Sequence, residues 1–262
     1  MSDIGDGAVL DLHEVGVRFG GISALSQVSM HVAPAEICGL IGANGAGKTT
    51  LFDVISGVRV PDQGRVRLNG RDITRWSPHR RARAGMRRTF QRVQTFGWLT
   101  VEENLLAATE WQGGGGGVLA DLVALPTRRS REVQRRDRVE VVLDRCGLVG
   151  ARHTTASSLP IGAARLVELG RALIDGPGLL LLDEPASGLD AHEASRFADL
   201  VRAARDEDGT SVLLVEHDVG FVMEHCDRVI VLDLGRVIAD GRPDDIRDDP
   251  RVREAYLGAL AT

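Results

Sequence analysis

The chain has 262 residues, enough for one large α/β unit with a subdomain. Its net charge of −5 does not favour binding to nucleic acid. The three cysteines, Cys38, Cys146 and Cys226, lie far apart without the spacing of metal ligands, so we expect buried, reduced thiols. We expect no signal peptide in the acidic N-terminus, and the longest aliphatic run is too short to span a bilayer.

The first 70 residues predict mainly strands. Residues 9–19 and 27–32 alternate apolar and polar side chains with period two, and 35–42 form a mostly apolar run typical of a buried strand. The apolar positions of 43–57 fit one helical face, with Gly57 at the helix end. Residues 64–73 predict a further strand and turn.

From about residue 81 to 155 helical patterns dominate, which favours a helical subdomain. Five consecutive glycines at 113–117 predict a flexible loop inserted in it. The arginine run at 128–138 fits either a basic patch or a solvated helix face, and the solvated face is the more common case.

From residue 165 onward helices and strands alternate. We predict a helix over 165–175, a strand over 179–184, a helix near 191–206 and a strand over 211–217. A helix begins at 218, a hairpin spans 228–241, and a short helix follows Pro250. Strands that alternate with helices indicate parallel βαβ units.

Residues 42–49 fit the phosphate-loop pattern G-x-x-x-x-G-K-[ST], between an apolar strand and a helix. Glycines let several backbone N–H groups converge on an anion, and the helix adds its positive N-terminus. Lys48 is the only lysine in the chain, and arginine's planar, rigid fork is ill suited to so tight a loop. The predicted nucleotide-binding residues are Gly42, Ala43, Asn44, Gly45, Ala46, Gly47, Lys48, Thr49 and Thr50.

Three further polar residues follow apolar strands. Asp183 and Glu184 end one strand, and His217 ends another. The carboxyl ends of parallel strands form the edge where open α/β sheets bind ligands. There Asp183 is placed to hold Mg²⁺, Glu184 to polarise an attacking water and His217 to contact the γ-phosphate. A lone histidine is more often structural, and we interpret the other histidines so.

In combination, these motifs resemble the ATP-binding subunit of an ABC transporter over nearly the whole chain. The resemblance implies an α/β P-loop NTPase (RecA-like) core with an N-terminal antiparallel β subdomain and an inserted α-helical subdomain. One nucleotide-binding domain is expected over 8–262, with the core at about 8–85 and 165–262 and the helical subdomain at about 86–164.

The same resemblance implies ATP and Mg²⁺ as ligands and assigns site residues. Glu184, His217, Lys48 and Gln91 (the Q-loop glutamine of "RTFQ") are implied to be catalytic. Thr49, Gln91 and Asp183 are implied as metal ligands. Phe19 in "VRFGG" matches the aromatic that stacks on adenine, although such a residue by itself is more often part of the core.

The family signature L-S-G-G-Q is altered in this chain to "LPIGAAR", residues 159–165. Gly162 is retained, but Pro160 replaces the serine and Ala163 the glutamine. Backbone amides after Pro160 remain available for phosphate, whereas one hydrogen bond to a charged group, worth about 1.5–3 kcal/mol, is lost. We therefore expect weaker ATP-driven dimerisation.

In the family two subunits meet head to tail, each placing its signature on the other's nucleotide. Gly162 and Asp190, the latter in the D-loop "SGLD", are accordingly implied to bind nucleotide. The implied partners are a second ABC ATPase, as a homodimer or heterodimer, and transmembrane permease subunits, without nucleic acid. The implied location is the cytoplasmic face of the cell membrane, held there peripherally through these partners.

Four sequence features that are less specific than the catalytic motifs resemble the branched-chain amino-acid importer ATPases. They are "RFGGISAL", "RTFQ…FGWLTVEENL", the loop around 110–136 and "DPRVREAYLG". The ATPases of related urea uptake and lipopolysaccharide export systems share many of these sequence features and remain alternatives. A weakly hydrolysing regulatory subunit is favoured only by the altered signature. A DNA- or ribosome-acting ABC ATPase would need a coiled coil or a second ATPase module, for which 262 residues leave no room.

Overall fold

The structure is a computed structural model that describes residues 7–109 and 125–254, with 125–131 described by their backbone alone. The strands, in chain order, are β1 (Leu10–Phe19), β2 (Ile22–Val32), β3 (Ile37–Ile41), β4 (Gln63–Leu68), β5 (Arg71–Asp72), β6 (Met86–Arg88), β7 (Leu179–Asp183), β8 (Ser211–Val215), β9 (Arg228–Asp233) and β10 (Arg236–Gly241). The helices are α1 (Lys48–Ser56), α2 (Pro78–Arg83), α3 (Val101–Thr109), α4 (Leu125–Arg145), α5 (Ile161–Leu173), α6 (Ala191–Asp208), α7 (Val219–His225) and α8 (Pro243–Asp248).

The chain divides into two compact units. The first contains Met1–Arg88, Pro177–Ala186 and Val201–Thr262, and the second contains Thr89–Gly176 and Ser187–Leu200. The division expected from the sequence, with the core at about 8–85 and 165–262 and the helical subdomain at about 86–164, stays a prediction. Residues 165–176 belong to the second unit, in which α5 packs on α3 and α4, and residues 187–200 belong to it as well.

The smaller sheet of the first unit is antiparallel, in the order β2-β1-β4-β5. Leu10 and Leu12 of β1 are buried, and so are Val66 and Leu68 of β4, as the period-two pattern predicts. Their side chains join Phe52 of α1 in one apolar core.

The larger sheet has the order β10-β9-β3-β8-β7-β6, with every neighbouring pair parallel except β10 and β9. All residues of β3 and β8 are buried, which explains why these strands read as continuous apolar runs. In the register, Val215 pairs with both Leu40 and Asp183. The ends of β3, β8 and β7 therefore lie in one row at the carboxyl edge of the sheet.

Strand β6 corrects the sequence analysis, which expected helix from residue 81 onward. Helix α2 ends at Arg83, and Met86 to Arg88 then pair in parallel with Leu179 to Leu181. Three residues are too few for a periodic pattern, so only the pairing with β7 identifies this strand. Helix α8 was likewise missed, whereas the predicted hairpin β9–β10 is confirmed. The helix expected after Pro250 is present over 250–254.

In the second unit, α3, α4 and α5 pack on one another. Gly170 of α5 allows the close approach, because a Cβ there would lie 2.8 Å from Val142 Cγ1 and 3.2 Å from Leu105 Cδ2. The predicted glycine loop at 113–117 lies outside the described residues. Within the described part of the chain, no helix has both the length and the apolar character that crossing a membrane requires.

Candidate nucleotide site

The loop between β3 and α1 is held in a tight curve. Gly47 has φ +105° and caps the N-terminus of α1. A Cβ on Gly47 would lie 2.6 Å from the carbonyl oxygen of Ala24, and one on Gly42 would lie 2.2 Å from that of Leu232. Only glycine fits at either position. The first amides of α1 have no acceptor within the helix and can therefore bind an anion.

Lys48 lies along this loop. Its Nζ donates hydrogen bonds to Gly42 O at 2.7 Å and Ala43 O at 3.1 Å, and the residue is 6% exposed. Burial lowers the pKa of Lys48, and the nearby charge of Glu184 opposes that change. Thr49, the next residue, is exposed at the helix N-terminus. The ammonium and the hydroxyl therefore lie at the same end of α1.

Helix α1 is fixed at its other end by Arg81, a residue that sequence analysis did not identify. Arg81 is 1% exposed, and burial lowers its pKa to about 10, which leaves it charged at neutral pH. Its guanidinium donates hydrogen bonds to five backbone carbonyls, those of Val54, Ile55, Ile73, Thr74 and Trp76. Two of these belong to the last turn of α1, where carbonyls lack intrahelical donors.

Glu184, which follows β7, and His217, which follows β8, meet at the sheet edge as the parallel order predicts. Glu184 Oε1 lies 2.9 Å from His217 Nε2. Glu184 has a left-handed backbone, with φ +48°, and its N–H donates to Val215 O at 2.9 Å. The Glu184 side chain is largely buried, whereas that of His217 is half exposed.

Asp183 is bound by an arginine that the sequence did not identify. Arg88 Nη2 lies 3.0 Å from Asp183 Oδ2, while its Nη1 contacts Asp53 Oδ1 and Ser56 Oγ at 2.8 Å each. Arg88 thus joins the end of α1 to the carboxylate at the tip of β7. No motif indicates this role, because it depends on β6 pairing beside β7.

Phe19 lies at the β1–β2 turn, and the residue is 49% exposed. The guanidinium carbon of Arg59 lies 3.9 Å from the ring centroid, and Arg59 Nη2 donates to Arg18 O at 3.1 Å. Strand β2, which follows the turn, contacts the phosphate loop at Ala24. An exposed ring on this hairpin is available for stacking. The alternative interpretation of Phe19 as a core residue is therefore wrong.

The remaining predicted residues belong to the second unit. Gln91 is exposed, and its backbone carbonyl accepts a hydrogen bond of 2.7 Å from Arg165 Nη2. Pro160 is the N-cap residue of α5, and Gly162 packs so closely on Glu193 that a Cβ would meet its carboxylate at 2.1 Å.

Asp190 accepts a hydrogen bond from Glu193 N–H at 2.8 Å, and Glu193 Oε2 accepts one from Asp190 N–H at 3.1 Å. This reciprocal pair is a capping box at the start of α6.

The first unit thus places a tight glycine loop, an ammonium, two carboxylates and an imidazole at one sheet edge. Oxygen atoms of Thr49 and Asp183 are ligands that Mg²⁺ prefers, and the loop suits a phosphate chain. The residues present therefore fit a magnesium-bound nucleotide. The three cysteines are buried and free, as predicted.

Known proteins share this arrangement and much of the sequence. The ABC transporter family model matches residues 25–187, more than half of the chain. The chain belongs to the ABC transporter family. As an ABC ATPase it carries the ATP-binding and ATP-hydrolysing function that the motifs predicted. A second model, described as branched-chain amino acid ATP-binding cassette transporter, matches residues 236–261.

Individual relatives of this ABC ATPase agree in length. It is 38% identical over 250 residues to the high-affinity branched-chain amino acid transport ATP-binding protein LivG of Escherichia coli (strain K12), covering 95% of this chain and 98% of LivG. It is also 38% identical over 232 residues to the lipopolysaccharide export system ATP-binding protein LptB of Acidithiobacillus ferridurans, covering 88% and 89%. A solved ABC transporter ATP-binding cassette in its ADP conformation has a TM-score of 0.81 and 30% identity, covering 96% and 99%.

Proposed function

We propose that this ABC ATPase powers an importer of branched-chain or other amino acids. It would act as a dimer with a second ABC ATPase, bound to permease subunits at the cytoplasmic face of the membrane. The match of residues 236–261 to the branched-chain model supports the substrate class, together with the identity to LivG over nearly the full chain. The similarity to LptB keeps lipopolysaccharide export as the second candidate.

The 2.9 Å contact between Glu184 and His217 is the observation that carries the proposed chemistry. Glu184 would accept a proton from the attacking water, and His217 would contact the γ-phosphate and keep the Glu184 carboxylate directed at that water. Lys48 would contact the β- and γ-phosphates, where a compact ammonium reaches between oxygens.

We infer that Mg²⁺ would be held by Thr49, Asp183 and Gln91. When bound, the ion neutralises charge on the phosphate oxygens and orients them. Arg88 Nη2 lies 3.0 Å from Asp183 Oδ2 and fixes that oxygen in place. Phe19 would stack on the adenine. In a homodimer, Gly162 and Asp190 of the partner subunit would close the site, so that turnover requires the dimer.

The test replaces Glu184 by Gln, which keeps the shape and removes the base. We expect slow basal ATP turnover in the wild-type protein and a loss of roughly 100-fold or more in E184Q, because general base catalysis contributes that much. ATP binding should persist, since the phosphate loop is unchanged. Equal turnover in both proteins would contradict the catalytic assignment.

The transported substrate is tested in cells that lack this gene. We expect uptake of radiolabelled leucine to fall, and to be restored by the wild-type gene but not by E184Q. Unchanged uptake of leucine, isoleucine and valine would refute the amino-acid proposal. A defect in surface lipopolysaccharide instead would favour the second candidate.

A further inference from the structure

Glu216 is a buried carboxylate that none of the sequence motifs explains. It directly precedes His217, is 3% exposed and lies among the strand ends of the parallel sheet. Burial raises its pKa, the charge of Glu184 raises it further, and hydrogen bonds from backbone amides oppose both effects. A carboxylate held in so unfavourable a place needs a structural or functional reason.

Its two oxygens bind two different segments of the site. Glu216 Oε1 accepts the N–H of Ala186 at 2.7 Å, and Oε2 accepts the N–H of His217 at 3.2 Å. Ala186 lies two residues after Glu184, and His217 is the residue that contacts Glu184. The side chain of Glu216 therefore connects the backbones on both sides of the Glu184–His217 pair.

The backbone at Glu184 makes this connection important. A left-handed φ of +48° is unfavourable for a residue with a Cβ, and such conformations persist only where the surroundings fix them. Glu184 N–H is held by Val215 O at 2.9 Å, and Ala186 N–H by Glu216. The strained residue is thus bracketed by two hydrogen bonds that both lead to the end of β8.

We propose that Glu216 is a positioning residue that holds Glu184 and His217 in their hydrogen-bonded arrangement by accepting the amides of Ala186 and His217. This inference rests on the proposed function of that pair. It assigns Glu216 no contact with ATP, so its effect should fall on turnover and not on nucleotide binding.

The experiment compares E216A and E216Q with the wild type and with the control E36Q. Glu36 is a partly buried glutamate that, like Glu216, accepts a backbone amide, here from Ala33 at 2.7 Å, but it precedes β3 and pairs with Arg228. Gln at 216 retains one carbonyl acceptor and the side-chain shape, whereas its NH₂ group faces an amide that needs an acceptor.

We expect kcat to fall roughly 100-fold in E216A, because displacements of about 1 Å have that effect on aligned groups. E216Q should recover part of that loss, and KM and the dissociation constant for ATP should stay near wild type in both variants. The imidazole NMR signal of His217, assigned from H217A, should shift in E216A and not in E36Q. Wild-type kcat in E216A, or an equal loss in E36Q, would overturn the assignment.

The proposed function fails in a different way. If E184Q and H217A hydrolyse ATP like wild type, the catalytic pair itself is wrong, whatever Glu216 does. If those variants are inactive while E216A and E216Q keep wild-type kcat and an unmoved His217 signal, only the positioning role is refuted. Thermal melting of each variant identifies any that fails to fold. If E216A does not fold, the kcat and the His217 signal of E216Q, which preserves the buried shape, test the positioning role.

Discussion

Replacing Arg81 by Met tests how the helix that carries Lys48 is held. The guanidinium donates to five backbone carbonyls at 2.6 to 3.2 Å, two of them in the last turn of α1. Methionine fills a similar volume but donates nothing, so all five carbonyls lose the guanidinium, although Val54 O and Ile73 O keep the N–H groups of Gly57 and Trp76. Each hydrogen bond to a charged group is worth about 1.5–3 kcal/mol, while desolvation of the guanidinium offsets part of the sum.

We therefore expect R81M to lower the free energy of unfolding by about 3–5 kcal/mol, the typical loss when a buried charged network is broken. At about 2–4 °C per kcal/mol for a protein of this size, the melting temperature should fall by roughly 6–20 °C. The measurement is thermal unfolding followed by circular dichroism. R83M is the matched control, because Arg83 is exposed on the same helix and carries the same charge.

A melting temperature of R81M within about 1 °C of R83M would refute this reasoning, since such a difference is well below 1 kcal/mol. It would mean that the helix end is held by packing alone. Partial recovery in R81K is expected, because an ammonium has three donors in place of five and cannot span the same carbonyls.

Three further predictions concern nucleotide binding and dimerisation. Lys48→Arg should abolish ATPase activity without unfolding the protein, because Lys48 is only 6% exposed and the bulkier guanidinium cannot lie along the same loop. Activity assays and a melting curve check this, and wild-type turnover would contradict it. Phe19→Ala should weaken ATP binding roughly 10-fold by loss of one stacked ring, with tripolyphosphate binding unchanged; equal loss for both ligands would exclude adenine stacking. Pro160→Ser in the E184Q background should raise the ATP-bound dimer fraction on size exclusion, because a hydroxyl donor is restored; an unchanged fraction would refute the account of the signature.

Much of the site was predictable because its signals are local. The apolar runs that form β3, β7 and β8 end directly at the polar residues that meet at the sheet edge. Alternating strands and helices require parallel pairing, and parallel pairing brings those ends together. Glu184 and His217 were expected at one edge on this ground, and they lie 2.9 Å apart. The assignment of their chemical roles stays a prediction.

The tertiary structure alone decided which side chains hold that edge in place. The pair between Arg88 and Asp183 joins residues 95 positions apart, and it exists because a three-residue strand pairs beside β7. Arg81 binds carbonyls whose positions depend on where α1 ends, and Glu216 binds an amide 30 positions away. A sequence pattern reports periodicity and local turns. It does not report which distant backbone groups lack hydrogen-bond partners. Buried backbone groups need such partners, and here charged side chains that are far away in sequence supply them.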